Sequence, residues 1–272
     1  MAETKVIVLS VKGLVNRFFS GSFAGGFLSN SLWRLTHKAI IENSINEISM
    51  FTGEPTDEVK RKYCNIHLPS QSWEAANPKT EKEILQFYSE TTALIYGLAR
   101  WNNTNPEKFR SRFKLLNFCQ SHNIKSVLDY GGGIGDYCIL LAQNRIEVTY
   151  ADVLGKTWQF SKWRFERRNL PITMLRAGID PLSRYDLVVC TDVLPFVTNP
   201  PSLANQLVAA LRPMGYLAAV YNFREKRALC LDNSKYADTF DSYLRRIGLE
   251  FLVRDFFLFF QKQQAGSTRS ID

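Results

Sequence analysis

The chain is poor in histidine and cysteine and lacks long apolar runs. It has three histidines and five cysteines in 272 residues, and no two cysteines form a C-x-x-C pair. This usage argues against a disulfide framework or a zinc site and indicates buried thiols in a reducing cytosol. No stretch reaches the roughly 18–20 apolar residues of a membrane span, and Lys12 and Arg17 interrupt any signal-peptide core. We therefore expect a cytoplasmic protein without a metal site, a membrane span or a secretory signal.

Two common nucleotide-binding fingerprints are also missing. A P-loop needs a lysine after its glycines, and no lysine follows Gly131, Gly133 and Gly135. A nicotinamide-binding turn needs the pattern G-x-G-x-x-G, and Asp136 stands where its last glycine belongs. These absences disfavour a P-loop enzyme and leave a nicotinamide enzyme as a weaker alternative.

The most informative stretch reads SVLDYGGGIGD and covers residues 126–136. Its apolar start predicts a buried parallel strand, and the helical spacing of residues 137–143 predicts a helix after it. Between them, glycines at alternate positions let the backbone turn tightly and a bulky ligand lie against it. The stretch therefore predicts a ligand-binding strand–turn–helix unit; the alternative is an ordinary turn that is merely rich in glycine.

Three later segments extend this alternation of strands and helices. Residues 146–152 predict a strand that ends in Asp152, and residues 185–194 predict an apolar strand with Thr191 and Asp192 at its exit. Residues 211–220 read LRPMGYLAAV, which predicts a helix end, a turn and another strand. A carboxylate at Asp152 can accept hydrogen bonds from both hydroxyls of a ribose that lies against the first turn.

The pattern D-x-G-x-G-x-G at residues 129–135, followed by these segments, resembles the class I S-adenosylmethionine-dependent methyltransferases. The resemblance covers roughly residues 105–265. It implies an α/β fold with a seven-stranded, mostly parallel Rossmann-like sheet, an N-terminal helical cap, and S-adenosyl-L-methionine as the cofactor. Met214 is a departure, because the family's L-x-P-G-G pattern has a glycine in its place.

The resemblance also implies a cofactor site at the carboxyl ends of the first two strands. Asp129 would order the turn and reach toward the amino-acid end of the cofactor, and Asp152 would meet the ribose. Val153 would pack on the adenine, whose amino group would meet Asp180 or the backbone beside it; an ordinary loop acid is the alternative for Asp180. The other expected cofactor contacts are Tyr130, Gly131, Gly133, Gly135 and Thr191.

The acceptor side carries fewer signals. Many members of the family have a Glu-His pair shortly after the fourth strand, whereas this chain has Pro195 and Phe196 there, so that position offers no general base. His67 is therefore our leading candidate for a base, with a structural histidine as the alternative. Asp192 should border the transferred methyl group, unless it is a helix N-cap. The residues expected to line the acceptor pocket are Tyr88, Trp101 and Phe196.

The net charge is +8, and much of the excess lies in residues 108–114 and 156–168, both predicted as helices. One interpretation is a solvated helix face with aromatic residues inward; the other is a basic face for nucleic acid, which no RNA-binding motif supports. We favour transfer of a methyl group to an oxygen or nitrogen atom of a small-molecule or natural-product acceptor. The alternatives are an RNA or protein methyltransferase and a catalytically silent cofactor-binding subunit.

The chain divides into three parts by composition. Residues 1–104 predict a helical cap that binds the acceptor, with helices at 30–50 and 80–101, and the polar run NNTNP at 102–106 predicts the boundary. Residues 105–265 predict the methyltransferase domain, and residues 266–272 a polar tail. The glycine- and phenylalanine-rich residues 18–28 leave open a lid, an oligomer contact such as that of a homodimer, or a membrane-surface anchor.

Overall fold

The computed structural model describes residues 25–224 and 231–264, with the backbone alone described for residues 25–36. The segment at 18–28 therefore lies outside the described side chains, and the polar tail at 266–272 lies outside the described residues. Within the described ranges, no helix is long and apolar enough to cross a membrane.

The first part of the described chain is helical. Its helices are α1 (Gly25–Thr52), α2 (Thr56–Cys64), α3 (Leu68–Ala76), α4 (Glu81–Glu90) and α5 (Ala93–Thr104). The prediction of a helix at 30–50 is confirmed by α1. The single helix predicted at 80–101 is wrong, because α4 and α5 stand in its place. The short helices α2 and α3 were not predicted.

Two threonines define the ends of α4. Thr80 forms a capping box: its hydroxyl accepts the N–H of Glu83 at 3.2 Å, and the Glu83 carboxylate accepts the N–H of Thr80 at 2.8 Å. At the other end, Thr91 has extended backbone (φ −71°, ψ 134°), and its hydroxyl accepts the N–H of Ala93 at 3.2 Å. One helix thus ends and the next begins without glycine or proline.

The polar run at 102–106 does not form the expected break. α5 continues to Thr104, the two leading asparagines of the run are buried, and α6 (Pro106–Ser121) begins after Asn105 alone. The Asn105 side chain caps α6, because it accepts the N–H groups of Glu107 and Lys108 at 2.9 and 3.1 Å. The cap is joined to the rest through one residue, and the division of the chain into domains at 104 stays a prediction.

The rest of the described chain alternates strands and helices. The strands are β1 (Ser126–Tyr130), β2 (Glu147–Asp152), β3 (Thr173–Arg176), β4 (Tyr185–Thr191), β5 (Leu211–Val220), β6 (Leu249–Arg254) and β7 (Leu258–Lys262). The helices among them are α7 (Asp136–Gln143), α8 (Lys156–Arg167), α9 (Pro200–Ala209) and α10 (Phe240–Arg246).

These seven strands form one sheet in the order β3-β2-β1-β4-β5-β7-β6. Neighbours from β3 to β5 pair in parallel, and β7 runs antiparallel to both β5 and β6. The predicted α/β fold with a mostly parallel, seven-stranded Rossmann-like sheet is confirmed. Because the parallel strands end at one edge, the turns after β1, β2 and β4 meet there.

The bounds of β5 differ most from the prediction. This strand begins at Leu211, where a helix end and a turn were predicted. Leu211 already pairs with Tyr185 before the register shifts. The expected turn is an irregularity inside the strand, where Met214 has φ +60°. Further along the chain, α10 is preceded by a 3-10 turn at Ser234–Tyr236.

Three clusters of buried side chains hold the layers together. Alternate residues of β1 and β4 belong to two of them, as in a sheet that is covered on both faces. In the third cluster, Ile48, Ile95 and Tyr96 of the cap pack with Ile134 of the glycine turn and Phe160 of α8. The cap therefore shares a core with the carboxyl edge of the sheet.

Candidate functional site

The turn after β1 requires glycine because its neighbours are close. Gly131 has φ +71° and Gly135 has φ +76°, a region that other residues rarely adopt. A Cβ atom at Gly131 would overlap the Val193 side chain after β4, and one at Gly135 would overlap the Phe165 ring of α8. The turn is thereby held between the exit of β4 and α8.

A cavity of about 620 Å³ lies over this turn, a volume typical of small-molecule sites. One wall comes from the carboxyl edge of the sheet and the other from α3, α4 and α5 of the cap. Leu98 of α5 lies over the turn, because a Cβ atom at Gly133 would come within 3.1 Å of its Cδ1. The cavity wall brings together these predicted residues: Tyr88, Trp101, Gly131, Gly133, Asp152, Val153, Thr191, Asp192 and Phe196.

Asp152 lies at the end of β2 and faces the cavity. Its carboxylate accepts the N–H of Gly133 and the N–H of Val153, both at 2.7 Å. Burial raises the pKa of the Asp152 carboxyl to about 6, although both N–H groups act in the other direction. Each oxygen keeps a second lone pair, so the carboxylate can still accept hydrogen bonds from a ligand.

Asp129 lies beneath the turn and not in the cavity wall. Its side chain is 1% exposed, and one carboxyl oxygen accepts from Cys138 Sγ at 3.2 Å. The other oxygen has no hydrogen-bond partner among the described residues. Burial raises the pKa of this carboxyl to about 7. The position suits a residue that orders the turn, and a direct reach toward the cofactor stays a prediction.

Three residues expected at the cofactor lie elsewhere. Tyr130 is buried in the sheet core, because side chains alternate along β1. Gly135 is the N-cap of α7 and packs against Phe165. Asp180 lies outside the cavity wall and binds the guanidinium of Arg176 at 2.6 Å, which lowers the pKa of its carboxyl to about 2. Neither Tyr130 nor Asp180 lines the cavity, and contact of either residue, or of the backbone beside Asp180, with the cofactor stays a prediction.

His67 does not line the cavity, although Ile66 and Pro69 do. It precedes the first turn of α3, where its side chain is exposed and its N–H donates to Asn65 Oδ1 at 3.0 Å. Because the unpredicted helix α3 sets which neighbours face inward, His67 lies outside the cavity wall, and its role as a base stays a prediction that this position does not support.

Lys108 is a cavity residue that the sequence analysis missed. It is 8% exposed, and its ammonium lies 3.7 Å from Asp192 Oδ2 and over the rings of Tyr137 and Phe256 at 5.3 and 5.7 Å. The buried face of α6 carries Lys108, Ser111, Leu115 and Cys119, a helical spacing that could have identified it. Phe109 and Phe113, expected inward, are only partly buried.

A buried ion-pair network ties the cap to the start of α7. Asp136 binds Arg164 at 2.9 Å and Arg112 at 3.0 Å, and Arg164 binds Glu47 of α1 at 3.0 Å. Burial alone would raise the pKa of the Asp136 carboxyl, but the two guanidinium groups lower it to about 2. Arginines from both basic helices are thus used inside the protein, and only the remaining positive charges can form a solvated or nucleic-acid-binding face.

Two residues of the cavity wall each carry a polar atom without a hydrogen-bond partner among the described residues. These atoms are Asn102 Oδ1 and Thr157 Oγ1, and both are buried. Buried polar atoms are usually paired, so both call for a ligand or water. Together with the glycine turn and Asp152, they fit an adenosyl amino acid, whose ribose and ammonium groups supply donors.

Comparison with known families decides the assignment. A model of the methyltransferase domain family matches residues 98–250, more than half of the chain. The chain belongs to the methyltransferase domain family. The family agrees with the predicted class I S-adenosylmethionine-dependent methyltransferase, with S-adenosyl-L-methionine as the expected cofactor. The glycine turn and Asp152 would hold the adenosyl part, with Asn102 and Thr157 available to its polar groups.

Several solved structures are similar to this methyltransferase. The N-methyltransferase NodS from Bradyrhizobium japonicum WM9, in complex with S-adenosyl-L-homocysteine, is 17% identical with a TM-score of 0.48, over 59% of this chain and 90% of that one. TehB from Haemophilus influenzae is 18% identical with a TM-score of 0.47, over 60% and 66%. The 4+2-cyclase SpnF is 19% identical with a TM-score of 0.41, over 47% and 53%, so the chain spans about half of its length. No curated protein sequence matches the chain.

Changing Asp152 to asparagine should weaken binding of adenosylhomocysteine by about 1–3 kcal/mol, because a charge-assisted acceptor for the ribose is lost. Wild-type affinity should also fall as the pH falls through about 6, the pKa of this carboxyl, whereas Asp152→Asn should be insensitive to pH there. Calorimetry at several pH values measures both effects. Asp180→Asn is the control, and equal loss in both variants would contradict the assignment.

Proposed function

We propose that the methyltransferase transfers a methyl group to an oxygen or nitrogen atom of a small-molecule acceptor held between the cap and the sheet edge. The observation that carries the proposal is the two-sided cavity. The cofactor turn forms one wall, and apolar cap residues, among them Ile84, Leu85 and Tyr88, form the other. At the rim, the Thr198 hydroxyl donates to the Glu81 carboxylate at 3.0 Å and links the two sides.

The charges of the wall also favour a small acceptor over a nucleic acid. Binding of a phosphate backbone needs several accessible Lys or Arg side chains. The cations of the described cavity wall are Lys108 and Arg112, and both lie beside carboxylates, those of Asp192 and Asp136. An apolar acceptor that fits against aromatic and aliphatic side chains suits this wall better.

Among the described residues of the cavity wall, Asp192 is the carboxylate that we assign to the acceptor's proton. It has φ +55°, and its N–H donates to Val220 O at 2.8 Å. Aspartate tolerates this left-handed backbone better than most residues, and such outliers cluster at functional sites. The conformation ends β4 and leaves Asp192 in the cavity wall.

The bound cofactor supplies an electrophilic methyl group on its sulfonium. The cap and the sheet edge hold the acceptor in line with that group and exclude water. For an alcohol or ammonium acceptor, the Asp192 carboxylate accepts the proton that the nucleophile releases. An acceptor that arrives already deprotonated needs only to be positioned.

The test is a methyl-transfer assay with labelled cofactor and a panel of phenols, carboxylic acids and amines, read by mass spectrometry of the products. We expect a methylated product from at least one acceptor. Asp192→Asn should lower its turnover about 100-fold, the usual contribution of general base catalysis, with no loss of affinity for adenosylhomocysteine. His67→Ala should leave turnover unchanged.

Three outcomes would contradict the proposal. Methylation of added RNA or protein alone would favour a macromolecular acceptor. Cofactor binding without transfer to any acceptor would favour a silent subunit. Equal loss of turnover in Asp192→Asn and His67→Ala would remove the role of Asp192.

A further inference from the structure

The Lys108 side chain is largely buried, and its ammonium has no hydrogen-bond partner among the described residues. Lys108 is 8% exposed and lines the cavity. Its nearest ionic partner among the described residues is Asp192, at 3.7 Å, beyond the roughly 3.2 Å limit of a hydrogen bond. Three N–H donors of one buried charge are therefore left without an acceptor in the described part of the protein.

The surroundings compensate this charge only in part. Burying an ammonium is unfavourable unless it is paired and hydrogen-bonded. The rings of Tyr137 and Phe256 lie 5.3 and 5.7 Å from Nζ and offer cation–π attraction. The Lys108 charge also lowers the pKa of the buried Asp129 carboxyl, against the larger effect of burial. The positive charge of Lys108 is thus partly balanced, but its N–H groups have no acceptors in the described part of the protein.

The other cation of the described wall, Arg112, is already held in a hydrogen-bonded ion pair. Arg112 donates to Asn102 O, Asn103 Oδ1 and Asp136 Oδ2 at 2.8, 3.0 and 3.0 Å. These bonds all come from Nη2, and they fix the guanidinium against Asp136. Lys108 differs from Arg112 because its ammonium has no hydrogen-bonded carboxylate among the described residues of the wall.

We infer that Lys108 is the receptor for a carboxylate bound in the cavity. This inference rests on the proposed function, which puts both donor and acceptor there. The carboxylate has two sources: the amino-acid end of the methyl donor, or an acidic group of the acceptor. In either case the ammonium gains the charge-assisted hydrogen bonds that the protein withholds, and the carboxylate is fixed beside Asp192.

The test compares two nucleosides that differ in the amino-acid part. Adenosylhomocysteine carries a carboxylate, whereas methylthioadenosine keeps the adenosyl thioether and lacks the amino acid. If the donor supplies the carboxylate, Lys108→Met should lower the affinity for adenosylhomocysteine at least tenfold in calorimetry. Its affinity for methylthioadenosine should stay within twofold of the wild-type value. Lys108→Arg should restore most of the affinity, and Lys114→Met on the same helix should have no effect.

A second arm identifies an acceptor carboxylate. With adenosylhomocysteine bound, Lys108→Met should lose affinity for benzoate and keep that for benzamide, while its affinity for adenosylhomocysteine stays unchanged. An equal loss of affinity for both nucleosides would overturn the inference, and so would unchanged affinities in both arms of the test. These binding measurements need no turnover, so they can succeed even if methyl transfer to small molecules fails.

Discussion

Replacing Arg164 with methionine is expected to lower the free energy of unfolding by about 3–5 kcal/mol, the effect of removing one partner from a buried ion pair. Arg164 is 8% exposed and binds both Glu47 and Asp136, and it also donates to Ile134 O in the glycine turn. Methionine fills a similar length without charge. Two buried carboxylates would lose a shared partner, and the turn would lose a donor.

Urea unfolding of the wild type and the variant measures the effect. Arg167→Met is the matched control, because Arg167 lies on the same helix but is exposed and only stacks on Trp163. We expect a change within about 0.5 kcal/mol there. Similar values for the two variants would show that the network contributes nothing beyond an ordinary surface charge.

Changing Gly131 to alanine should abolish binding of adenosylhomocysteine and lower the free energy of unfolding by about 2–5 kcal/mol. About 1–2 kcal/mol comes from the left-handed backbone, and about 1–3 kcal/mol from overpacking. The added methyl group would overlap the Val193 side chain. The turn or the exit of β4 must then move, and both form the cavity wall.

Gly178→Ala separates these two contributions. Gly178 has a nearly equal φ of +74°, but nothing lies within 4 Å of an added Cβ atom. It should show the backbone cost alone, about 1–2 kcal/mol, with unchanged affinity for adenosylhomocysteine. If Gly131→Ala behaves like Gly178→Ala in both measurements, the close contact with Val193 is not what requires glycine.

The sheet could be predicted from the sequence because its signals are local. A buried apolar run that ends in a polar residue marks β1, β2 and β4, and the order of segments matches a known family. The cap was predicted less well. The end of α4 at Thr91 depends on a hydroxyl that accepts the N–H of Ala93, and a helical apolar spacing continues across it. The spacing of apolar residues alone does not reveal such a cap.

The residues of the site also differ in how well the sequence predicts them. Gly131, Gly133 and Asp152 belong to one contiguous motif pattern, and the structure places all three in the cavity wall. His67 and Lys108 depend instead on the packing of the cap and α6 against the sheet. A lysine in a basic helix predicts an exposed side chain, whereas tertiary contacts bury Lys108 and leave His67 in solvent.

The two-sided cavity has an evolutionary consequence. The glycine turn and Asp152, which would hold the adenosyl part of the donor, lie at the sheet edge, whereas Leu85 and Tyr88, which would select the acceptor, lie on the cap helices. Substitutions in these helices can reshape the acceptor pocket and leave the donor pocket intact. A lineage built on this scaffold can therefore acquire new acceptors in small steps while its chemistry is inherited unchanged.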